Sequence, residues 1–285
     1  MNVSIFETNI VGNDFHSPYH DHKVVANFIR FLKDFKPDIL TINGDLIDFY
    51  DLSNYAKSPT RFLSMSEIEG LKLNPDYSKY GQGYIVREAT QREIDESYDI
   101  LVGARSAIGD KAQIKYQFGN HEFRFDNYIY RNATAFTEIR RARDRKGSAV
   151  LSIEYLLRLK ELGVKTIYEG FRETWHKYGG LHIGHFDMVR KHSTWTAKSL
   201  VEDKGVCLLQ AHTHRMGAFY KTTFDHTLVG YENGCLCSLT PRYIKNPNWQ
   251  QGFSIVYRKK GKNRFHVHQV PIIDGMFIYE GKEYK

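Results

Sequence analysis

The first forty-odd residues constrain the fold more than any other stretch. Val3 to Val11 is β-branched and apolar enough for a strand, and from Asp21 to Phe35 the apolar residues Val24, Val25, Phe28, Ile29, Leu32 and Phe35 recur at helical spacing. Lys23, Arg30, Lys33 and Asp34 take the opposite face of that helix, Pro37 ends it, and Asp38 to Asn43 reads as a second, buried strand. Strand, helix and strand in so short a span make a βαβ unit, whose strands run parallel with their carboxyl ends at one edge. Ligands of open α/β sheets bind outside that edge. There the chain places Gly12-Asn13-Asp14-Phe15-His16 and Gly44-Asp45-Leu46-Ile47-Asp48. On an extended backbone, residues two apart point to the same side, so Asp14 and His16 can meet on a single metal, although an isolated Asp-x-His is ordinarily a turn carboxylate beside a surface histidine.

The pattern repeats. A strand at Gln113 to Phe118 runs into Gly119-Asn120-His121-Glu122, a strand at Leu181 to Gly184 into His185, and a strand at Val206 to Gln210 into Ala211-His212-Thr213-His214. His182 lies inside its run and reads as structural. Helices are expected from about Tyr84 to Ile108, over Phe123 to Lys146, over Leu151 to Leu162 and from Thr194 to Lys204, with further strands at Val164 to Tyr168 and near Thr174 to His176. Beyond His214, Met216 to Thr222, Thr227 to Tyr231, Phe253 to Tyr257, Phe265 to Val270 and Met276 to Tyr279 read as short strands, which with the parallel ones suggest two packed sheets flanked by helices. The 285 residues are read as one elaborated domain, with the irregular, aromatic-rich stretch 49–84 as a cap or wall over the site.

Composition narrows the function classes. With 41% hydrophobic and 26% charged residues and no run of about 18 apolar residues, disordered and membrane classes are set aside, and with no charged-then-apolar leader the expectation is a cytoplasmic protein. Cys207, Cys235 and Cys237 make no even framework, and the latter two are expected as small residues on one strand, with metal binding as the second reading. A net charge of +7 keeps nucleic acid or another phosphorylated partner in play. Arg140 to Lys146 reads as a solvated helix face, while Arg124, among the aromatics Phe125, Tyr128 and Tyr130, is a candidate for gripping a phosphate.

Asp14-x-His16, Gly44-Asp45-x-x-Asp48, Gly119-Asn120-His121-Glu122, Gly184-His185 and His212-x-His214, in this order, resemble the motif blocks of calcineurin-like metallophosphoesterases. The segments Glu232 to Cys237 and Asn246 to Phe253 are similar to the C-terminal part of a phage-borne branch of that family. Ala211 departs from the usual Gly and would crowd a backbone turn; Asn13, where Ser is commoner, is expected to matter little.

The resemblance implies a four-layer αββα sandwich with two mixed sheets, and two divalent ions: one on Asp14, His16, Asp45 and His214, the other on Asp45, Asn120, His185 and His212, with Asp45 bridging. Carboxylate, imidazole and amide donors suit Mn²⁺ first, then Fe²⁺, Zn²⁺, Ni²⁺ or Mg²⁺. Two such ions about 3.5–4 Å apart would activate a bridging hydroxide for in-line attack on a phosphate ester. His121 would protonate the leaving oxygen or stabilise its charge, and Asp48 and Glu122 would orient imidazoles or else be surface carboxylates. The basic balance, the Arg-rich stretch after His121 and the aromatic loop 49–84 point to a nucleic acid, DNA or RNA, or a nucleotide, cleaved as a diester. The alternatives are a phosphomonoesterase, including a protein phosphatase, and a non-catalytic binding module, although such modules tend to lose ligands that are all retained here.

Overall fold

The structure is a computed structural model of the 285-residue chain and describes residues 5–53, 81–167, 175–241 and 246–285. The expected βαβ unit is present: β1 (Phe6–Gly12), α1 (His22–Phe35) and β2 (Ile39–Asn43), with β1 and β2 parallel. Asp21 caps α1 by accepting from the Val24 N–H, and Lys36 closes it in the left-handed region at φ 53°, just before Pro37. Phe31, which the helical spacing also admits, is fully buried in this helix.

The remaining elements are α2 (Gly81–Ile108), β3 (Gln113–Gln117), α3 (Glu122–Asn132), α4 (Ile153–Leu156), β4 (Val164–Ile167), β5 (Trp175–Tyr178), β6 (Leu181–Gly184), α5 (Trp195–Lys204) and β7 (Cys207–Gln210). They are followed by β8 (Met216–Thr222), β9 (Thr227–Asn233), β10 (Gln251–Lys259), β11 (Phe265–Ile272), β12 (Phe277–Tyr279) and β13 (Lys282–Tyr284). One sheet has six strands in the order β11-β10-β1-β2-β3-β4, parallel from β1 to β4 and antiparallel at β10 and β11. The other has five, β5-β6-β7-β9-β8, with β6, β7 and β9 parallel.

Strand alternation builds four layers from these sheets. On β1, Ile10 faces α1 and α2, packing with Phe28, Phe31, Leu101 and Ala104, while Val11 faces the second sheet and meets Ile183, Leu209 and Tyr231. On β7, Leu209 joins that inter-sheet core while Leu208 faces α5 through Leu200 and Val201. The order helix, sheet, sheet, helix is the four-layer αββα sandwich that the resemblance implies. A polar seam crosses the inter-sheet space: Asn43 accepts from Gln117 at 2.9 Å and donates to the Gly184 carbonyl at 3.0 Å, and His176 Nδ1 lies 3.0 Å from Gln117 Oε1.

Three local expectations need correction. The helix expected over Phe123 to Lys146 stops at Asn132; a 3₁₀ turn (Thr134–Phe136) and irregular chain follow, so Arg140 to Lys146 is no helix face. Arg140 instead closes a turn by donating to the Gly147 carbonyl. Only Ile153–Leu156 of the helix expected at Leu151 to Leu162 is α-helical, followed by turns up to Gly163. Cys235 and Cys237 are buried in the connection between β9 and β10, held by isolated bridges to Gln251 and His20, rather than on one strand. Most of the expected cap at 49–84 lies outside the described residues; a 3₁₀ turn at Tyr50–Leu52 is its described start. Among the described residues no helix is long and apolar enough to cross a membrane.

Candidate metal centre

The loops beyond β1 and β2 continue the pairing of their strands. Asp14, His16 and Ser17 donate backbone N–H groups to the carbonyls of Gly44, Asp45 and Leu46 at 2.8–3.1 Å, which sets Asp14 and His16 beside Asp45. The expected extended backbone is not how these side chains converge. Asp14, His16 and Asp45 are left-handed (φ 51° each), as are His212 (70°) and His214 (55°). Asp, Asn and His are among the residue types that tolerate this region best, so the chemistry that binds cations also permits the turn.

The donors face one another. His214 Nε2 is 3.2 Å from Asp14 Oδ1 and 3.0 Å from His16 Nε2, and His16 Nε2 is 3.7 Å from Asp14 Oδ1 and 3.8 Å from Asp45 Oδ2. His185 Nε2 is 3.2 Å from both Asp45 Oδ2 and Asn120 Oδ1. Asp14, His16 and His214 form one group whose ligand atoms lie within 4.8 Å of one another, and Asp45, His185 and His212 form another. Donors around a single ion with bonds of about 2.1 Å lie roughly 3.0–3.4 Å apart. Asp45 Oδ2 sits at the junction of the two groups. All seven residues that the resemblance names as ligands are thus brought together.

The residues present fit divalent cations on three counts. Asp14 Oδ1 is buried without a hydrogen-bond partner among the described residues, while its Oδ2 accepts from Asn13 at 2.6 Å and from the His212 N–H at 2.9 Å, so the orphaned oxygen is the one aimed at His214. The site is also shaped at two glycines. A methyl on Gly44 (φ +86°) would lie 2.3 Å from His185 Nδ1, and one on Gly119 would lie 2.2 Å from Asp45 Oδ1. Thirdly, the buried carboxylates demand positive charge. Burial opposes ionisation of Asp14, Asp45 and Asp48, yet the surrounding imidazoles hold all three below the usual carboxylate range. Burial likewise pushes His16 and His185 down, but Asp14 and Asp48 raise His16 well above its ordinary value and Asp45 raises His185 to about 9. Divalent ions would replace those protons. His212 is lowered to about 4 by burial and by His185, and His214 is lowered by burial, which leaves both as neutral donors.

The surroundings orient these groups. His185 Nδ1 lies 3.0 Å from the Asn43 carbonyl, so Nδ1 carries a hydrogen and Nε2 would offer its lone pair once a cation displaced the second proton. Asp48, expected to orient imidazoles, places Oδ2 3.4 Å from His16 Nδ1 and Oδ1 3.1 Å from His121 Nδ1. Glu122 does something else. Its carboxylate accepts the N–H groups of Asp45 (3.0 Å), Leu46 (2.8 Å) and Gly119 (2.7 Å) and the Tyr116 hydroxyl (2.6 Å), pinning the Asp45 loop to the Gly119 turn.

His121 also faces the cluster, with Nε2 3.8 Å from Asp45 Oδ2 and in a further group of donors with His16 and Asp45. Its Nδ1 lies 2.8 Å from the Asp48 carbonyl and its Nε2 2.9 Å from Arg124 Nη2, and a guanidinium there repels any cation that would use the nitrogen. Arg124 also donates to the Asp48 carbonyl and carboxylate. With Tyr50, Ser53 and Trp249, these two residues line a pocket of about 300 Å³ over the ligand cluster.

Several contributors escaped the sequence reading. Asn13 holds Asp14 and is itself held by Asn233, against the expectation that it matters little. Cys237 Sγ lies 3.6 Å from His214 Nδ1, and burial pushes this thiol up, so it stays a neutral partner of the ring rather than a thiolate ligand. Trp249 packs on the His214 ring with centroids 4.2 Å apart. The Asn13–Asp14 adjacency and the tryptophan after the Asn-Pro-Asn turn were the available signals. Ala211 lies buried with its N–H on the Gly184 carbonyl, and the left-handed residue is His212, so the extra methyl crowds no turn.

No family model matches the sequence. Two phage proteins, each described as Gene 54 protein, align with nearly the whole chain. That of Mycobacterium phage D29 is 26% identical over 281 residues, 95% of this chain and 96% of its own. That of Mycobacterium phage L5 is 24% identical over 283 residues, 96% of each. Among solved structures, the chain is similar to the Zn²⁺ complex of Vps29 from Entamoeba histolytica, with a TM-score of 0.42 and 13% identity over 98% of this chain and 99% of that one. It is also similar to the purple acid phosphatase PPD1 of yellow lupin, with a TM-score of 0.39 and 9% identity over 96% of this chain and 52% of that one.

Proposed function

We propose that this chain is a calcineurin-like metallophosphoesterase of a phage-borne branch, acting as a phosphodiesterase on nucleic acid or nucleotides with two divalent ions, Mn²⁺ foremost. The observation that carries the reading is Asp45 Oδ2 at the junction of two donor groups, one completed by Asp14, His16 and His214 and the other by Asn120, His185 and His212. When bound, such a pair of ions supplies Lewis-acid activation of water and neutralises charge developing at phosphorus. The alignment with two phage proteins over nearly the full chain supports the branch.

The chain's own residues do the rest. The carbonyl of Asp48 accepts the proton on His121 Nδ1, which fixes the ring with Nε2 toward the pocket. In the neutral ring Nε2 accepts from Arg124; a second proton at Nε2 breaks that contact, turning the nitrogen into a donor for the leaving oxygen and releasing Arg124 toward a non-bridging phosphate oxygen. Exposed Arg and Lys residues and the aromatic wall of Tyr50 and Trp249 favour a diester with attached bases over a bare phosphate.

The test is hydrolysis of bis-p-nitrophenyl phosphate, p-nitrophenyl phosphate and labelled single- and double-stranded DNA by Mn²⁺-loaded protein. Diester cleavage is expected; cleavage of the monoester alone would favour the phosphatase alternative and end the diesterase reading. His121→Ala is expected to keep its metal content and lose about 10²–10⁴-fold in turnover. Undiminished turnover would remove the acid role.

A further inference from the structure

Helix α3 begins at the site and leads away from it. Its core-facing side is Glu122, Phe125 and Ile129, with Glu122 and Phe125 buried and Ile129 packed on the main core. Arg124, Tyr128 and Arg131 stand at positions i, i+4 and i+7, within about 60° of one another around the helix and roughly opposite that side. Arg124 lines the catalytic pocket, Tyr128 is 46% exposed and Arg131 is exposed. Asn127 shares the face, the helix's own carboxylates Glu122 and Asp126 project elsewhere, and the Asp48 carboxylate meets Arg124 at the pocket end. The stripe is about 10 Å long, the reach of two or three nucleotides at about 3.4 Å per stacked step.

Resting on the diesterase reading, we propose that this stripe is the track on which a single-stranded nucleic acid leaves the catalytic pocket, with Arg124 and Arg131 on phosphates two or three nucleotides apart and Tyr128 stacked on a base between them. Charge complementarity and continuity with the pocket select the ligand. A cation–aromatic–cation alternation matches the phosphate–base–phosphate order of a strand, and an exposed ring offers its face only to a base not already paired. A duplex keeps its bases stacked inside and would meet the arginines alone. Farther along the chain Phe136, 51% exposed, lies in the 3₁₀ turn packed against the end of α3.

The experiment measures binding of a fluorescein-labelled oligothymidylate and of a matched duplex to the full-length protein by anisotropy across a salt series, with EDTA present so that no strand is cut. Tyr128→Ala is expected to weaken single-strand binding about tenfold and Tyr128→Phe to leave it unchanged. Arg131→Glu is expected to weaken it about tenfold and to lower the salt slope by about one. Duplex binding is expected to respond to Arg131→Glu and to ignore Tyr128→Ala. Wild-type single-strand affinity in both Tyr128→Ala and Arg131→Glu, or equal losses for duplex and single strand in Tyr128→Ala, overturns the track. Bis-p-nitrophenyl phosphate is too small to reach beyond the pocket and separates the two readings. If Mn²⁺-loaded wild-type protein cleaves it while the variants bind DNA as wild type does, the track alone fails. If it is not cleaved, the diesterase reading fails whatever the variants bind.

Discussion

The two sheets contribute unlike halves to one centre. The six-stranded sheet delivers every carboxylate, Asp14, Asp45 and Asp48, together with His16 and Asn120, whereas the five-stranded sheet delivers only the imidazoles of His185, His212 and His214. One half is buried negative charge and the other a set of neutral or protonated rings, so neither half satisfies itself. The centre closes only when the sheets dock, and the seam of Asn43, Gln117 and His176 fixes how they do. A charge-rich half must be compensated by its partner or by cations, whereas the seam needs only hydrogen bonds.

The most severe way to break this division is Asp45→Asn, which keeps the shape and removes the shared charge. Under the proposed two-ion reading, loss of several kcal/mol of transition-state stabilisation, about a thousandfold in turnover, is expected, and elemental analysis should show both ions depleted. Retention of both would show that the halves do not meet at this side chain. Gly119→Ala attacks the same carboxylate from behind, since its methyl would lie 2.2 Å from Asp45 Oδ1 and 2.8 Å from the Asp45 nitrogen. Titration calorimetry should find metal affinity reduced about a hundredfold, with the fold intact by circular dichroism.

The seam gives a smaller, pH-dependent signal. Burial, with Lys115 nearby, lowers His176 to about 3 from an ordinary 6.5, so the native protein binds fewer protons there than the unfolded chain. Stability from this residue is present above pH 6.5 and drains away as pH falls toward 3, about 2 kcal/mol across that window after allowance for partial hydration. His176→Asn should flatten that limb of urea-denaturation stability against pH, and an unchanged limb would mean the seam does not sense protons. The gentlest probe is Cys237→Ala, which removes the sulfur beside His214 Nδ1. About tenfold weaker metal binding is expected, together with an altered visible spectrum of the Co²⁺-substituted protein.

Much of this was legible because strand ends are marked by short apolar runs followed by Gly and a polar residue, as at Asn43-Gly44-Asp45 and Phe118-Gly119-Asn120. The βαβ unit then required those ends to share an edge. Left-handed backbone at Asp14, His16, Asp45, His212 and His214 was not legible, because an Asp-x-His spacing is compatible with extended chain too. The resemblance cast Glu122 as an imidazole partner, whereas helix α3 starts there and turns the carboxylate back under the Asp45 loop. The basic run at Arg140 to Lys146 mimicked a helix by composition, although it lacks the buried stripe that would hold one down.

The positive φ angles decide what a deletion at this centre measures. Alanine at Asp14 or His214 discards the donor and still bears the left-handed cost of about 1–2 kcal/mol, whereas glycine discards the donor and sheds that cost. Asp14→Gly should therefore melt later than Asp14→Ala while being equally empty of metal, and the gap in Tm would gauge how firmly the surrounding scaffold bends the backbone before any cation arrives.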